Sequence, residues 1–144
     1  MNTPDWLTNI GDRHISSVAH AQDYIESHLL KHHATHGFGM FSLVLKPGIF
    51  VGMAGFVKRD YLPHPDLGLA LLPEYYRQGL ATEASERLIQ LAWQEYDLSE
   101  ILAITIETNF RSQRLMERLE FEPLGEFISP AGDKLLKYRR TLFP

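Results

Sequence analysis

The chain has 144 residues, is 44% hydrophobic, and carries 14 Lys and Arg against 18 Asp and Glu, a net charge of −4. This length and composition fit one folded domain spanning residues 1–144 rather than a disordered chain, and the acidic balance supplies no basic footprint for non-specific nucleic-acid binding. The absence of cysteine removes disulfides, thiolate zinc sites and cysteine nucleophiles.

No basic stretch leads into an apolar one after Met1, and no apolar run approaches the roughly 20 residues of a membrane helix, so a cytoplasmic protein is expected. Residues 1–14, with Pro4 and Gly11, read as irregular. Ser16 or Ser17 is placed to cap a helix running to about Thr35 and closed by Gly37, with Val18, Ala21, Ile25, Leu29 and Leu30 near helical spacing. Residues 40–46 and 49–58 read as a hairpin around Pro47-Gly48, and residues 66–72 as a third strand ended by Pro73. A long helix is expected over 79–95, a buried strand over 101–106 and a short helix over 112–119. Two last strands, 121–128 and 134–142, flank the turn at Pro130 to Asp133. A strand–helix–strand crossover makes a parallel pair, so strands 66–72 and 101–106 should run parallel within a mixed, mostly antiparallel sheet flanked by helices, an α/β domain.

The segment Leu72-Pro-Glu-Tyr-Tyr-Arg-Gln-Gly-Leu-Ala-Thr-Glu-Ala84 follows a strand, contains a glycine and opens a long helix. Free amides and the dipole at a helix N-terminus attract anions, and Gly79 with the small Ala81 lets backbone approach closely, so this is a phosphate cradle or a plain strand-to-helix turn. Tyr75-Tyr-Arg-Gln-Gly-Leu-Ala-Thr-Glu-Ala84 resembles the acetyl-CoA pyrophosphate loop of the GNAT superfamily. The closest likeness is to the ribosomal-protein-alanine N-acetyltransferase branch, where an aromatic, here Tyr76, stands at the loop's first polar position. Asn109-Phe-Arg-Ser-Gln-Arg-Leu-Met-Glu-Arg-Leu-Glu-Phe121 resembles the family's Asn-x-x-Ser helix, and Asp5-Trp-Leu and His36-Gly-Phe-Gly-Met-Phe41 resemble further segments of that branch, in the same order.

The resemblance implies a GNAT fold with one splayed parallel strand pair and acetyl transfer from acetyl-CoA, as co-substrate, to a primary amine in a direct ternary complex. The amides of Arg77, Gln78, Gly79, Leu80, Ala81 and Thr82 would hold the pyrophosphate. The strand end at Leu72 would pair with the pantetheine arm, and Asn109 would bond the cofactor. Ser112 would serve the departing thiolate or, alternatively, only cap its helix. Arg111, Arg114 and Arg118 meet the CoA phosphates or form a charged surface. Three departures stand out. Met116 replaces a tyrosine acid common in the superfamily. Glu120 replaces the helix-ending glycine, which implies an altered cap. The strand and helix usual before Asp-Trp-Leu do not precede Asp5, which puts strand 40–46 at a sheet edge and makes a homodimer through that edge an expectation.

A general base is poorly marked: Asp60, His64, Asp66 and Glu74 are candidates, each also readable as a solvated loop residue. His28, His32 and His36 repeat every fourth residue. With no second ligand cluster they read as a solvated face, and no metal site is expected. No Walker loop, HExxH or GxSxG occurs. The alternative to catalysis is a non-catalytic acyl-CoA-binding or interaction module on a degenerate GNAT fold.

Overall fold

The computed structural model describes residues 1–142. Six strands form one sheet in the order β1-β2-β3-β4-β6-β5. β1 (Met40–Leu45) and β2 (Ile49–Val57) make the expected hairpin, and β3 (Asp66–Leu71) continues it antiparallel. β4 (Glu100–Thr105) lies parallel to β3, and β6 (Lys134–Thr141) sits between β4 and the outer β5 (Glu122–Ile128). β1 lies at one end of the strand order, with Phe41 and Val44 exposed.

Residues 1–14 are not wholly irregular. α1 (Pro4–Asn9) starts where Thr3 accepts a hydrogen bond from the Trp6 amide at 3.3 Å, with Pro4 in the first turn and Asp5 beside it. Thr-Pro-Asp is a helix-start pattern, since proline lacks only a donor that the first turn leaves unpaired. The helix expected after Ser17 forms as continuous helical backbone: α2 (Val18–Tyr24), a π-helical turn (Ile25–Leu30) and α3 (Lys31–His36). Ser17 caps it by accepting from the His20 amide, and Gly37, at φ 77°, ends it.

α4 (Leu80–Gln94) lies against β2 and β3, and α5 (Phe110–Arg118) against β4. Between them and the sheet sits one apolar cluster that includes Phe56, Leu88, Ala92, Ile101, Met116 and Phe121. Burying each of the larger of these side chains stabilises the fold by about 1.5–3 kcal/mol.

The end of α5 corrects one expectation. Glu120 adopts the left-handed conformation at φ 57° despite its Cβ, so the cap is kept rather than altered. The Phe121 amide donates to the Met116 carbonyl at 2.9 Å and the Glu120 amide to that of Glu117 at 3.0 Å, the two bonds of a Schellman end. Arg140 compensates: it donates to the Leu119 carbonyl and lies 3.6 Å from the Glu120 carboxylate.

Candidate functional site

β3 and β4 meet at one register pair only, Asp66 with Leu102, where the Leu102 amide donates to the Pro65 carbonyl at 2.9 Å. Towards their carboxyl ends the two strands share no further pair, which opens a split in the middle of the sheet. Open α/β sheets take ligands at such carboxyl ends. The split leads into a cleft of about 1590 Å³, walled by β3, the end of β4, residues 75–82, α5, the N-terminal segment, the helix around Tyr24 to Thr35, and the turn between β5 and β6.

The 3₁₀ turn Pro73–Tyr75 is followed by Tyr76 at φ −67°, ψ 155° and Arg77 at φ 60°, the backbone of a type II turn. Gly79, at φ 79°, is then the N-cap of α4 and supplies no side chain to cap it. Among the described residues, the N–H groups of Gly79, Leu80, Ala81 and Thr82 donate to no protein acceptor. Four consecutive free donors at the positive end of a fifteen-residue helix suit a pyrophosphate. A carbon added at Gly79 would meet nothing within 4 Å, so the approach to these amides is open.

Of the residues expected at the cofactor, Arg77, Gln78, Gly79, Leu80, Ala81, Thr82, Asn109, Ser112 and Arg114 all line the cleft. Leu72 does not, and its amide donates to the Val51 carbonyl at 2.8 Å, so its donor belongs to the sheet. Asn109 is the N-cap of α5 and accepts from the Ser112 amide at 3.2 Å. Ser112 is therefore not the cap, and among the described residues its hydroxyl has no protein partner. Arg118 bonds the Thr82 hydroxyl at 3.3 Å, tying α5 to the first turn of α4.

The base candidates separate. Asp60 is exposed and outside the cleft, Glu74 is likewise outside it, and His64 pairs with Glu100 at 3.5 Å, also outside. Asp66 lines the cleft but is 2% exposed and held by Arg59, Nε at 2.7 Å and Nη2 at 3.3 Å. Burial pushes its carboxyl above the ordinary carboxylate value, against the pull of that guanidinium. The histidine row is not simply a solvated face. His28 stacks on Tyr24 at 4.6 Å, whereas His32 Nδ1 donates to the Phe38 carbonyl at 3.1 Å and its Nε2 accepts the Lys58 amide at 2.9 Å. Among the described residues, no group of three or more His, Asp or Glu converges to hold a metal, and no helix is long and apolar enough to cross a membrane.

Residues 1–122 match the family model described as "Acetyltransferase (GNAT) domain". The chain belongs to the GNAT acetyltransferase family. It is 31% identical over 108 residues to "Uncharacterized N-acetyltransferase YjdG" of Bacillus subtilis (strain 168); the match takes in 74% of this chain and 64% of that relative, under two thirds of its length. The fold is similar to that of the ribosomal-protein-S5-alanine acetyltransferase from Vibrio fischeri, with a TM-score of 0.70, 19% identity, and 89% of this chain and 76% of that one covered. It is also similar to spermidine N-acetyltransferase from Vibrio cholerae in complex with CoA and spermine, with a TM-score of 0.72, 14% identity, and 91% and 79% covered.

Two pairings in this GNAT cleft join residues that the sequence did not connect. Asp5 on α1 pairs with Arg111 on α5 at 2.5 Å, and the Arg111 guanidinium lies 4.3 Å above the Tyr76 ring. That clasp ties the N-terminal wall to the loop. The Arg111 and Tyr76 hydrogen bonds hold the Asp5 carboxyl below its ordinary value, and burial with Asp5 nearby raises the Tyr76 phenol. The second is the Arg59–Asp66 pair. Only the Thr-Pro-Asp start of α1 hinted at the clasp, and nothing in the spacing of residues 59 and 66 marks the pair.

Proposed function

We propose that the protein is an acetyl-CoA-dependent N-acetyltransferase that moves the acetyl group directly onto a primary amine in a ternary complex, as one catalytic domain acting in the cytoplasm. The row of free amides from Gly79 to Thr82, on the cleft and beside the strand split, carries this reading. Those amides receive the pyrophosphate, with Arg77 and Arg114 at its flanks, and the Asn109 side chain keeps its amide nitrogen free to donate to the pantetheine arm. Acetyl-CoA supplies an activated acyl carbon. The amine reaches that carbon with its lone pair free, its ammonium proton having passed to water in the open cleft. A C–N bond forms, the C–S bond breaks, and the nitrogen loses one further proton to water in the cleft. The unpartnered Ser112 hydroxyl gives its proton to the departing sulfur and regains one from water, a transfer that needs the donor within hydrogen-bond reach. Met116, buried and without a hydroxyl, has no part in this. Direct transfer also suits a chain without cysteine, which has no thiol to carry the acyl group. The open edge of β1 supports pairing with a second copy.

Calorimetric titration with acetyl-CoA tests the reading, using the wild type beside Gly79→Glu, which sets a carboxylate against the cradle. Binding by the wild type, lost in the folded variant and followed by thiol release with amines, is the expected result. A folded wild type that binds no acetyl-CoA overturns the reading. Binding without turnover of any amine makes the chain an acyl-CoA-binding module.

A further inference from the structure

The cleft has a distinctive charge pattern. Besides the arginines of the loop and of α5, its walls bring in Arg13, Lys31 and Arg59 as cations, and its carboxylates are Asp5, Asp66 and Asp133. All three are engaged, Asp5 by Arg111. Asp133 accepts from the Ser129 hydroxyl at 3.3 Å while its amide donates back to that oxygen at 3.1 Å, and Asp66 holds Arg59. Nothing there offers counter-charge to an acceptor with several ammonium groups, which after losing one charge to acetylation still carries the others. Uncompensated like charge at close range is unfavourable even at moderate effective dielectric.

Arg59 itself is built into place. Asp66, 2% exposed, takes Nε and Nη2, and so fixes the plane of the guanidinium from behind. A guanidinium carries five N–H groups in one fork, so with Nε and Nη2 on Asp66 and the Tyr61 side chain beside it there are N–H groups to spare, and the side chain is 31% exposed and lines the cleft. The loop carrying it is anchored on both sides. Lys58 Nζ donates to the carbonyls of Leu62 and Pro63 at 2.9 and 3.3 Å, and Tyr61 lies 6.4 Å from the Phe127 ring of β5. A guanidinium pre-oriented by a buried carboxylate, with N–H groups to spare, matches a second carboxylate arriving from the cleft.

We propose that Arg59, aimed by Asp66, receives a carboxylate of the acceptor, so that the amine acetylated belongs to a small amino-acid-like compound and not to a polyamine. This rests on the acetyltransferase reading above and adds the substrate class. Arg59 is then the specificity-determining residue and Asp66 the positioning residue behind it, which also accounts for a carboxylate buried at the start of β3.

The test measures thiol release at saturating acetyl-CoA with a panel of free amino acids, the corresponding amino-acid amides, and spermidine. The wild type should prefer the best free acid over its amide by about tenfold or more in kcat/KM, the scale of one charge-assisted hydrogen bond. Spermidine should be poorer still. Arg59→Lys, which keeps the charge and loses the fork, should surrender most of that preference through KM, with kcat changed less, and Arg59→Gln should abolish it. Preference for spermidine or for the amide overturns the proposal, and so does an acid preference that survives both substitutions. The acid-to-amide comparison needs only wild-type protein, so a variant that fails to fold does not rescue the idea. Acetyl-CoA titration of the same preparations separates the two claims. No binding overturns the transferase reading and this one with it, whereas binding and transfer without an acid preference overturn this one alone.

Discussion

Ser112 and Ser85 are both serines on helices, yet they meet opposite circumstances. Ser112 has its amide capped by Asn109 and its hydroxyl free on the cleft. Ser112→Ala is therefore expected to lower kcat by about a hundredfold, the lower end of what a positioned proton donor contributes, with acetyl-CoA affinity by calorimetry unchanged. A kcat within a few-fold of wild type would leave protonation of the thiolate to water. Ser85 on α4 is fully buried and, among the described residues, its hydroxyl has no partner. Ser85→Ala removes an unpaired polar group and improves helix propensity, so denaturant unfolding should show about 0.5–1 kcal/mol of added stability. Glu120→Gly should likewise add about 1 kcal/mol by relieving the left-handed strain at the end of α5, although it gives up the exposed contact with Arg140. What the sequence made legible at this scale was local chemistry. Gly79 before a helix start marks a donor row because neighbours in sequence build it. The bond from Leu72 to Val51 and that from Arg59 to Asp66 depend on which strands and loops fold together, and no spacing encodes them.

His32 ties the helical run from Val18 to His36 to the residue that follows β2, Lys58. Its ring donates at Nδ1 and accepts at Nε2, which requires the neutral form. Burial, with His36 nearby, depresses its affinity for a proton below that of an ordinary histidine. The unfolded chain thus binds that proton more readily, and stability from this group is present in full above the ordinary histidine pKa of about 6.5 and is lost as pH falls below it. Urea midpoints should drop between pH 7.5 and 5.5, and the drop should be shallower in His32→Gln. Equal slopes would show that the other six histidines and the carboxylates account for the whole effect. Periodicity identified this helix but not its π-helical turn, because one widened turn barely disturbs the apolar spacing at Ile25, Leu29 and Leu30. α1 escaped for a different reason: Pro4 reads as a breaker unless Thr3 before it is recognised as a cap.

In the whole molecule, the crossover rule made the parallel pair of β3 and β4 legible, because the intervening α4 leaves no other arrangement of short connections. The placement of β6 between β4 and β5 is a long-range pairing with no local mark in the chain. The outer edge of β1 predicts association. Sedimentation should give the mass of two chains, and Val44→Lys, placing charge on that edge, should return one. A single-chain mass for the wild type would sink the pairing. Within the sheet, the split between β3 and β4 creates a second kind of edge, an internal one. The backbone groups of β3 beyond Asp66 that face β4 have no ladder to close, although the strand lies at the centre of its sheet. Hydrogen exchange should find that the middle of this protein, on that side, trades its amide protons like a margin. A bound ligand arm would then complete the sheet as a missing strand does, and protection of those amides would report on whatever fills the split.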